Sequence, residues 1–310
     1  MYDVITIGSS LIDTFIHSGE FQVRSEKEGM LLCQTYGDKI EVDSFAVMTG
    51  GGGGNTAVGF ARMGFRVGVI SELGKDVLGT IIEQDFHAEK VATNFLISER
   101  KEQTGGSIIL IGKDGGRTVL VHRGASSMLD PQDIPDSALE QAQWIHVASI
   151  SGRLATLQHI FAVARAHNKR VSWNPGKDEL QLLNDGSLPL ASIVCEVLVV
   201  NRQEWAMLEH VQVPLEKAIP YLVITDGKNG GRYFSRDSGW HEYDSLEAKS
   251  VDDTGAGDSF VVGFVSALLL QKDAHEASRW GVFSAHSVVQ QVGAKPGLLT
   301  RQALEQAASE

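Results

Sequence analysis

The chain has 310 residues, of which 43% are hydrophobic and 21% charged, and its formal net charge is −12 at pH 7. This length allows one large α/β domain or two ordinary ones, and the acidic charge argues against broad binding to nucleic acids or anionic membranes. The N-terminus lacks a basic leader, and two isolated cysteines, Cys33 and Cys195, indicate a reducing, cytoplasmic location. The longest apolar stretch, 260–270, is too short to span a bilayer.

Apolar runs and turn residues divide the first 123 residues into short elements. In order, the pattern predicts a buried strand at 4–8, short strands and turns over 14–48, a helix at 55–64, a strand at 65–71, a helix at 78–86, and strands at 95–96, 107–111 and 119–122. A hairpin turn is predicted at Lys113–Gly116, between the last two strands. The stretch 14–48 mixes charged and apolar residues, which indicates a sheet with at least one exposed face.

From residue 144 onwards, strand and helix patterns alternate. The predicted strands are 144–148, 171–173, 197–200 and 222–225, and the predicted helices are 154–167 and 204–210. Such alternation is typical of a doubly wound α/β fold, in which a mostly parallel sheet carries helices on both faces. The β-rich pieces 14–49 and 95–123 interrupt this pattern, and we expect them to pair with each other as a small separate sheet.

Five consecutive glycines, Gly50–Gly54, precede the first predicted helix. Such a run removes every side chain where another group approaches closely, and its entropic cost favours a binding role over a flexible turn. Gly52–Ala57 also fits the dinucleotide pattern G-x-G-x-x-A, with Glu72 twenty residues after Gly52. That pattern usually opens the first βαβ unit, whereas here the first strand ends in Gly8-Ser9-Ser10. A dehydrogenase is therefore one alternative function.

The segment Asp252–Phe260 predicts a tight loop that leads into the N-terminus of a buried helix. Amides at a helix N-terminus form an anion site, and the small residues 255–257 let phosphate oxygens reach them. Asp258 suits two roles: a helix cap, or a base that takes the proton of a substrate hydroxyl as its oxygen attacks a γ-phosphorus. A carboxylate repels phosphate, so the second role requires that Asp258 faces the incoming nucleophile.

Five motifs, in order, resemble the ribokinase, or PfkB-type, family of carbohydrate kinases, and the resemblance covers essentially the whole chain. They are Gly8–Asp13 (an N-terminal substrate motif), Gly50, Gly51 and Asn55 (G-G-x-x-x-N), Asn201–Glu204 (N-x-x-E), Thr225–Gly230 (T-x-G-x-x-G) and Asp252–Asp258 (D-T-x-G-A-G-D). Two positions depart from the family pattern. Asp253 stands where Thr or another small residue is usual, and Gly52 stands where ribokinases proper carry Lys, which argues against ribose as the substrate.

The resemblance implies a role for each matched residue. Asp258 is expected to be the general base, with the amides of Gly255, Ala256 and Gly257 as the anion hole; Asp13, Gly51 and Asn55 are expected to bind substrate hydroxyls, and Asn201, Glu204, Thr225 and Gly227 to bind ATP. Glu204 is expected to hold Mg²⁺ through water, and Asp252 a monovalent cation such as K⁺. Taken alone, Asp13, Asn201 and Thr225 would each fit an ordinary turn or cap. Arg123 fits either a hinge or a substrate ligand.

The implied fold is ribokinase-like, with an α/β core of residues 1–13, 50–94 and 124–310 and a β-sheet lid of residues 14–49 and 95–123. The implied activity is transfer of the γ-phosphoryl group of ATP to a hydroxyl of a sugar or nucleoside, with Mg²⁺ and K⁺ as cofactors and a homodimer formed through the lids. The alternatives are a dehydrogenase that uses Gly52–Ala57 and a non-catalytic sugar or nucleotide sensor on the same fold. Which sugar or nucleoside is phosphorylated is left open.

Overall fold

The structure is a computed structural model that describes residues 1–26 and 29–309; residues 27 and 28, inside the predicted 14–48 stretch, and Glu310 lie outside the described residues. The strands are β1 (Tyr2–Ile7), β2 (Leu11–His17), β3 (Gln22–Glu26), β4 (Gly29–Cys33), β5 (Ser44–Gly50), β6 (Val67–Gly74), β7 (Ala92–Glu99), β8 (Gly106–Ile111), β9 (Arg117–His122), β10 (Ala142–Val147), β11 (Arg170–Trp173), β12 (Val197–Asn201), β13 (Tyr221–Thr225), β14 (Gly231–Ser235) and β15 (Gly239–Tyr243). The α-helices are α1 (Gly52–Arg62), α2 (Val77–Ala88), α3 (Asp136–Glu140), α4 (Leu154–Ala166), α5 (Lys177–Asn184), α6 (Arg202–Met207), α7 (Gln212–Ala218), α8 (Ala256–Leu269), α9 (Ala274–Val288) and α10 (Arg301–Ser309). None of the helices in the described ranges combines the length and the apolar character needed to cross a membrane.

One large sheet has the strand order β15-β14-β13-β12-β11-β10-β1-β6-β7. The strands from β13 to β7 pair in parallel, and the β14–β15 hairpin continues one edge in antiparallel pairing. Successive residues of β1 point to opposite faces: Val4 belongs to an apolar cluster with Phe60 and Phe264, and Ile5 to another with Phe161. The predicted mostly parallel sheet with helices on both faces is therefore confirmed.

A second, smaller sheet has the strand order β5-β2-β8-β9, and a separate ribbon pairs β3 with β4. β2 runs antiparallel to β5 and parallel to β8, and β8 and β9 form the hairpin predicted at residues 113–116. We call the four-stranded sheet and the β3–β4 ribbon the lid. The predicted small separate sheet is thus confirmed, although its boundaries differ.

The strand pairing places two boundaries of the lid elsewhere than predicted. β7 pairs with β6 in the large sheet, so residues 95–99 lie in the core, where Phe95 packs against Tyr2 with ring centroids 5.7 Å apart. β2 begins at Leu11 and pairs with lid strands, so residues 11–13 lie in the lid. Asp13 is therefore carried by a lid strand rather than by the core.

The carboxyl ends of the parallel strands meet at one edge of the large sheet. β12 ends at Asn201 and β13 at Thr225, and these two residues are directly opposite each other in register. β1 ends at Ile7 on the same edge, and the chain enters lid strand β2 only four residues later. Because ligands of open α/β sheets bind outside the carboxyl ends of the strands, the fold predicts a binding site at this edge, close to the lid.

Candidate active site

The N-terminus of α8 carries Asp258 and the predicted anion hole. Gly255 precedes the helix, which begins at Ala256, and Asp258 lies in its first turn. The Ala256 N–H donates to the carbonyl oxygen of Asp253 at 3.2 Å, whereas no backbone hydrogen bond found in residues 1–26 and 29–309 uses the N–H of Gly255 or Gly257. These two amides are available to an anion at the positive end of the helix.

The carboxylate of Asp258 is bonded by Asn55 of α1, whose Nδ2 donates to Oδ2 at 2.8 Å. Asn55 is 3% exposed, and its Oδ1 has no hydrogen-bond partner among the described residues. Burial raises the pKa of Asp258, and the hydrogen bond from Asn55 lowers it in part. The pair thus places a carboxylate that can accept a proton beside an amide oxygen that can accept a hydrogen bond from a hydroxyl.

Asp13 brings a third functional side chain to the site from the lid. It lies on β2 opposite Ser107 of β8, and its Oδ1 accepts a hydrogen bond from the Ser107 hydroxyl. Burial raises the pKa of Asp13, the Ser107 hydrogen bond lowers it, and the carboxylates of Asp252 and Asp258 raise it further. The lid carboxylate therefore lies close enough to the two carboxylates of the α8 loop to feel their charge.

The glycine run packs directly against these carboxylates, which explains the absence of side chains there. A Cβ atom on Gly50 would collide with Oδ2 of Asp13. A Cβ atom on Gly52 would lie 3.4 Å from Oδ1 of Asp258. The run therefore lets the lid strand and α1 approach both carboxylates closely, as the sequence pattern predicts.

Gly51 stands between these two positions and connects the run to the turn after β1. Its φ is 89°, which favours glycine, and a Cβ atom there would come within 2.5 Å of the Ser9 carbonyl oxygen. The run follows lid strand β5, and α1 begins inside it at Gly52. A dinucleotide fingerprint instead follows a strand of the nucleotide-binding sheet, so this context does not match the dehydrogenase alternative.

Asn201 and Glu204 form a reciprocal cap at the start of α6. The Asn201 side chain accepts from the Glu204 N–H at 2.9 Å, and Oε2 of Glu204 accepts from the Asn201 N–H at 2.8 Å. Burial raises the pKa of Glu204, while the Asn201 N–H and the charge of Lys177 lower it. The structural role of the pair is thus clear, and its contacts with phosphates and Mg²⁺ stay a prediction.

Thr225 and Gly227 lie beside this cap at the edge of the large sheet. Thr225 is the last residue of β13 and the register partner of Asn201. Gly227 opens the following turn with a φ of 55°. The turn is tied to the segment after β15 because the Ser245 hydroxyl donates to the carbonyl oxygen of Lys228.

A cleft of about 750 Å³ opens next to that segment, between the end of β15 and helices α9 and α10. Its lining includes Tyr243, Asp244, Leu246, His275, Arg279, Val282, Phe283 and His286. The α9 residues recur at helical spacing, so they form one face of that helix. Beyond His286, the Val289 carbonyl oxygen accepts from the N–H groups of Val251 and Asp252, at 2.7 and 3.3 Å. The C-terminal end of α9, which lines the cleft, is therefore bonded to the start of the loop that carries the predicted anion hole.

Asp252 is held by the lid and by two core loops. Its Oδ1 accepts from Nη1 of Arg117 at 2.5 Å and from the N–H and the hydroxyl of Thr254 at 3.0 and 2.7 Å. Its Oδ2 accepts from the N–H of Gly293 at 2.9 Å. The neighbouring Asp253 is exposed and accepts from the Ser250 hydroxyl at 2.6 Å. The extra carboxylate of this loop therefore lies outside the group formed by Asp13, Asp252 and Asp258.

Two basic residues near the predicted carboxylates escaped the sequence analysis, and the ligand role of Arg123 stays a prediction. Arg117 of β9 reaches Asp252, and buried Lys295 bonds Oδ2 of Asp85 at 2.6 Å and the Thr49 hydroxyl at 2.8 Å. The side chain of Arg123 is exposed, and none of the described hydrogen bonds joins it to Asp13 or Asp258. A hairpin turn just before Arg117 is the local signal that could have identified it as a lid residue.

Comparison with known proteins places this geometry in a family. The family model described as "pfkB family carbohydrate kinase" matches residues 3–301. A ribokinase from Haemophilus influenzae is 29% identical over 275 residues, which are 86% of this chain and 89% of the relative. A nucleoside kinase from Methanothermobacter thermautotrophicus is 24% identical and covers 96% of this chain and 92% of its own. The structure of Arabidopsis thaliana ribokinase complexed with ribose and ATP superposes with a TM-score of 0.80, at 18% identity and 100% and 99% coverage.

Proposed function

The chain belongs to the pfkB family of carbohydrate kinases, which are phosphotransferases with an alcohol group as acceptor, and we propose that it transfers the γ-phosphoryl group of ATP to a hydroxyl of a sugar or nucleoside. The observation that carries this proposal is the Asn55–Asp258 pair at the N-terminus of α8. It brings a proton acceptor on α8 and a hydroxyl-binding oxygen on α1 together beside the two available amides, those of Gly255 and Gly257. Phosphoryl transfer needs these functions because it depends on positioning and on stabilising negative charge.

Asp258 acts as the general base in this mechanism. Its carboxylate takes the proton of the acceptor hydroxyl while that oxygen attacks the γ-phosphorus and the bond to the β-phosphate oxygen breaks. The N–H groups of Gly255 and Gly257 stabilise the charge on the transferring group, and Ala256, whose N–H bonds Asp253, holds the loop in shape.

Asp13, Asn55 and the glycine run hold the acceptor. Asp13 offers an acceptor oxygen from the lid, and Oδ1 of Asn55 offers another from the core. Side chains of this kind suit neighbouring ring hydroxyls, so the reacting group is a hydroxyl outside the ring, held away from Asp13. Gly52 has no side chain beside Asp258, where ribokinases proper carry Lys, and an acceptor other than ribose is favoured for that reason.

ATP binds along the edge from Thr225 and Gly227 to the cleft on α9. The cleft is large enough for a nucleotide base, and Phe283 and Tyr243 provide aromatic surface for it. Asn201 ends β12 opposite Thr225, and Glu204 lies in the first turn of α6 that follows. Glu204 would hold Mg²⁺ through water, and the ion would neutralise charge on the phosphates.

A monovalent cation such as K⁺ is the last part of the proposal. Asp252 fits it, because Oδ2 accepts only one hydrogen bond among the described residues, from Gly293, and keeps a lone pair for a cation. The cation would offset the negative charge of Asp252 next to the anion hole.

The decisive experiment is a panel of pentoses, hexoses and nucleosides assayed for ADP formation with MgATP. We expect turnover with at least one member and phosphate on a primary hydroxyl outside the ring, located by ³¹P–¹H NMR of the product. Turnover only with an alcohol that is not a carbohydrate would contradict the proposal. Binding of a sugar without any turnover would support the sensor alternative instead.

A further inference from the structure

Arg117 is the first residue of lid strand β9, and the strand register shows which way it faces. Val121 of β9 pairs with Ser107, and Ser107 pairs with Asp13, so these side chains share one face of the lid sheet. Arg117 lies four residues before Val121 and therefore points to the same face as Asp13. Its Nη1 crosses to the core and donates to Oδ1 of Asp252 at 2.5 Å, and it lies 3.3 Å from the Thr254 hydroxyl.

The negative charge of the buried Asp252 carboxylate needs a cationic partner such as Arg117. The residue is only 7% exposed, and its other hydrogen-bond donors, Thr254 and Gly293, are neutral. Among the described residues, Arg117 is the cation that bonds this carboxylate. The charges of Asp252 and Asp258 both act on Asp13, and the proposed function brings a triphosphate to the same place. A buried carboxylate without a cation would oppose the approach of that phosphate.

We propose that Arg117 is a positioning residue of the transfer step. It neutralises Asp252 when the lid lies against the core, and so links lid closure to the ability of the anion hole to bind phosphate. The inference rests on the proposed function, because the anion hole is the site of phosphoryl transfer there. Arg117 acts through Asp252 and needs no contact with the reacting atoms. A monovalent cation at Oδ2 would offset the same charge, so Arg117 and the cation substitute for each other in part.

The first test needs no turnover. Hydrogen exchange of the lid amides at 106–122 is measured in the ligand-free protein for wild type and Arg117→Gln. The matched control is Arg24→Gln, since Arg24 lies in the same lid and its guanidinium bonds only Gln22, within its own strand, among the described residues. We expect exchange to become several-fold faster in Arg117→Gln and to stay unchanged in Arg24→Gln, because only Arg117 holds the lid to Asp252. Equal exchange in all three proteins would overturn the link between Arg117 and closure.

The second test concerns the reaction. We expect Arg117→Gln to lower kcat roughly 10- to 100-fold with a smaller change in the acceptor KM, because a buried charge is left unpaired. K⁺ should stimulate Arg117→Gln more than wild type, and Arg117→Lys should keep more activity than Arg117→Gln.

In an Asp252→Asn background, Arg117→Gln should have little further effect on kcat. The proposal would be overturned if Arg117→Gln lowered kcat by the same factor in the wild-type and the Asp252→Asn backgrounds. It would also be overturned if K⁺ stimulated wild type and Arg117→Gln equally. A wild type without kinase activity would refute the proposed function and leave the exchange result to decide the lid contact.

Discussion

At the N-terminus of α8, a carboxylate stabilises the helix by its charge alone, whatever else it does. The side chain that contacts Asp258 therefore helps to distinguish a structural role from a catalytic one. That partner is the side-chain amide of Asn55, 203 residues earlier in the chain. A residue that only capped α8 would bond the amides of that helix instead. The contact with a second, buried polar residue of the glycine-run helix favours the proposed role as a base over a role as a cap alone.

We predict that Asp258→Asn removes most turnover and leaves folding nearly intact. The amide keeps the size of the side chain but accepts no proton at neutral pH, and loss of a general base typically costs roughly 10²- to 10⁴-fold in rate. ATP should bind as well or slightly better, since a negative charge near the γ-phosphate is lost. The measurements are kcat and a melting curve, with Asp253→Asn as the matched control on the same loop. Near-normal kcat in Asp258→Asn with unchanged melting would reduce Asp258 to a structural residue.

Motifs predicted the residues at this site that belong to local patterns, and they missed those that depend on long-range contacts. Asn55 and Asp258 each stand in a short glycine-rich segment with a physical reason for its composition. Arg117 and Lys295 stand in unremarkable surroundings, and they reach Asp252 and Asp85 only because the chain folds back over 135 and 210 residues. A single sequence carries no local signal for such pairs.

At the scale of elements, the sequence predicted the strands that are apolar on both faces. β1, β6, β10, β12 and β13 are short buried runs, and all were predicted. β14, β15 and α9 were not, because they mix polar and apolar residues without a clear period. Phe95 and Leu96 were predicted as a strand with the wrong partner, since an apolar pair does not specify which sheet covers it. The missed helix α9 lines the cleft, so the cleft that we propose for the nucleotide base was the least predictable part.

Strand β6 carries a buried carboxylate, that of Glu72, which has no role in the proposed reaction. Glu72 is 2% exposed, and its Oε2 has no partner among the described residues. Burial, with the charge of Asp133 and then contact with Glu99, raises the pKa of Glu72 to about 8. In the unfolded chain the pKa of Glu72 is 4.5. The folded protein therefore binds the proton of this carboxyl group more tightly than the unfolded chain does.

We predict that Glu72→Gln stabilises the protein at alkaline pH. The stability that protonated Glu72 contributes is complete below about pH 4.5 and is lost as pH rises through about 8, and Gln mimics the protonated form at every pH. Melting temperatures at pH 6 and pH 9 should show a gain for Glu72→Gln that grows with pH to a few degrees. The control is Glu83→Gln, since Glu83 lies exposed on α2. A gain that is equal at both pH values, or smaller at pH 9, would contradict the raised pKa.

At the scale of the whole molecule, the lid has two faces of different character. The inner face carries the polar side chains of Asp13 and Ser107, which bond each other. The outer face is apolar: Val47 pairs with Thr14, Thr14 with Ile108 and Ile108 with Leu120, and three of these four are large exposed hydrophobics. Phe45, at 64% exposed, extends the same face. Exposed apolar surface of this extent on a sheet marks an interaction site.

We predict that this outer face joins two copies of the chain as a homodimer. A second copy would cover the apolar face and leave the inner face free for substrate, and it would protect the lid from unspecific edge pairing. Val47→Glu places a charge on the outer face, on edge strand β5, and should give a monomer. Val119→Glu is the matched control, because Val119 pairs with Ile109, on the inner face of the same sheet, and is as exposed as Val47.

Light scattering or sedimentation at tens of micromolar should therefore report a dimer for wild type and for Val119→Glu, and a monomer for Val47→Glu. If wild type is a monomer, or if Val47→Glu remains a dimer, the interface lies elsewhere or is absent. Neither result would change the proposed role of Asp13, because this residue belongs to the inner face, where it bonds Ser107 of the same chain. If the dimer forms, each lid rests on its partner, and breaking the dimer should also speed hydrogen exchange of the lid amides, as removal of Arg117 does from the core side.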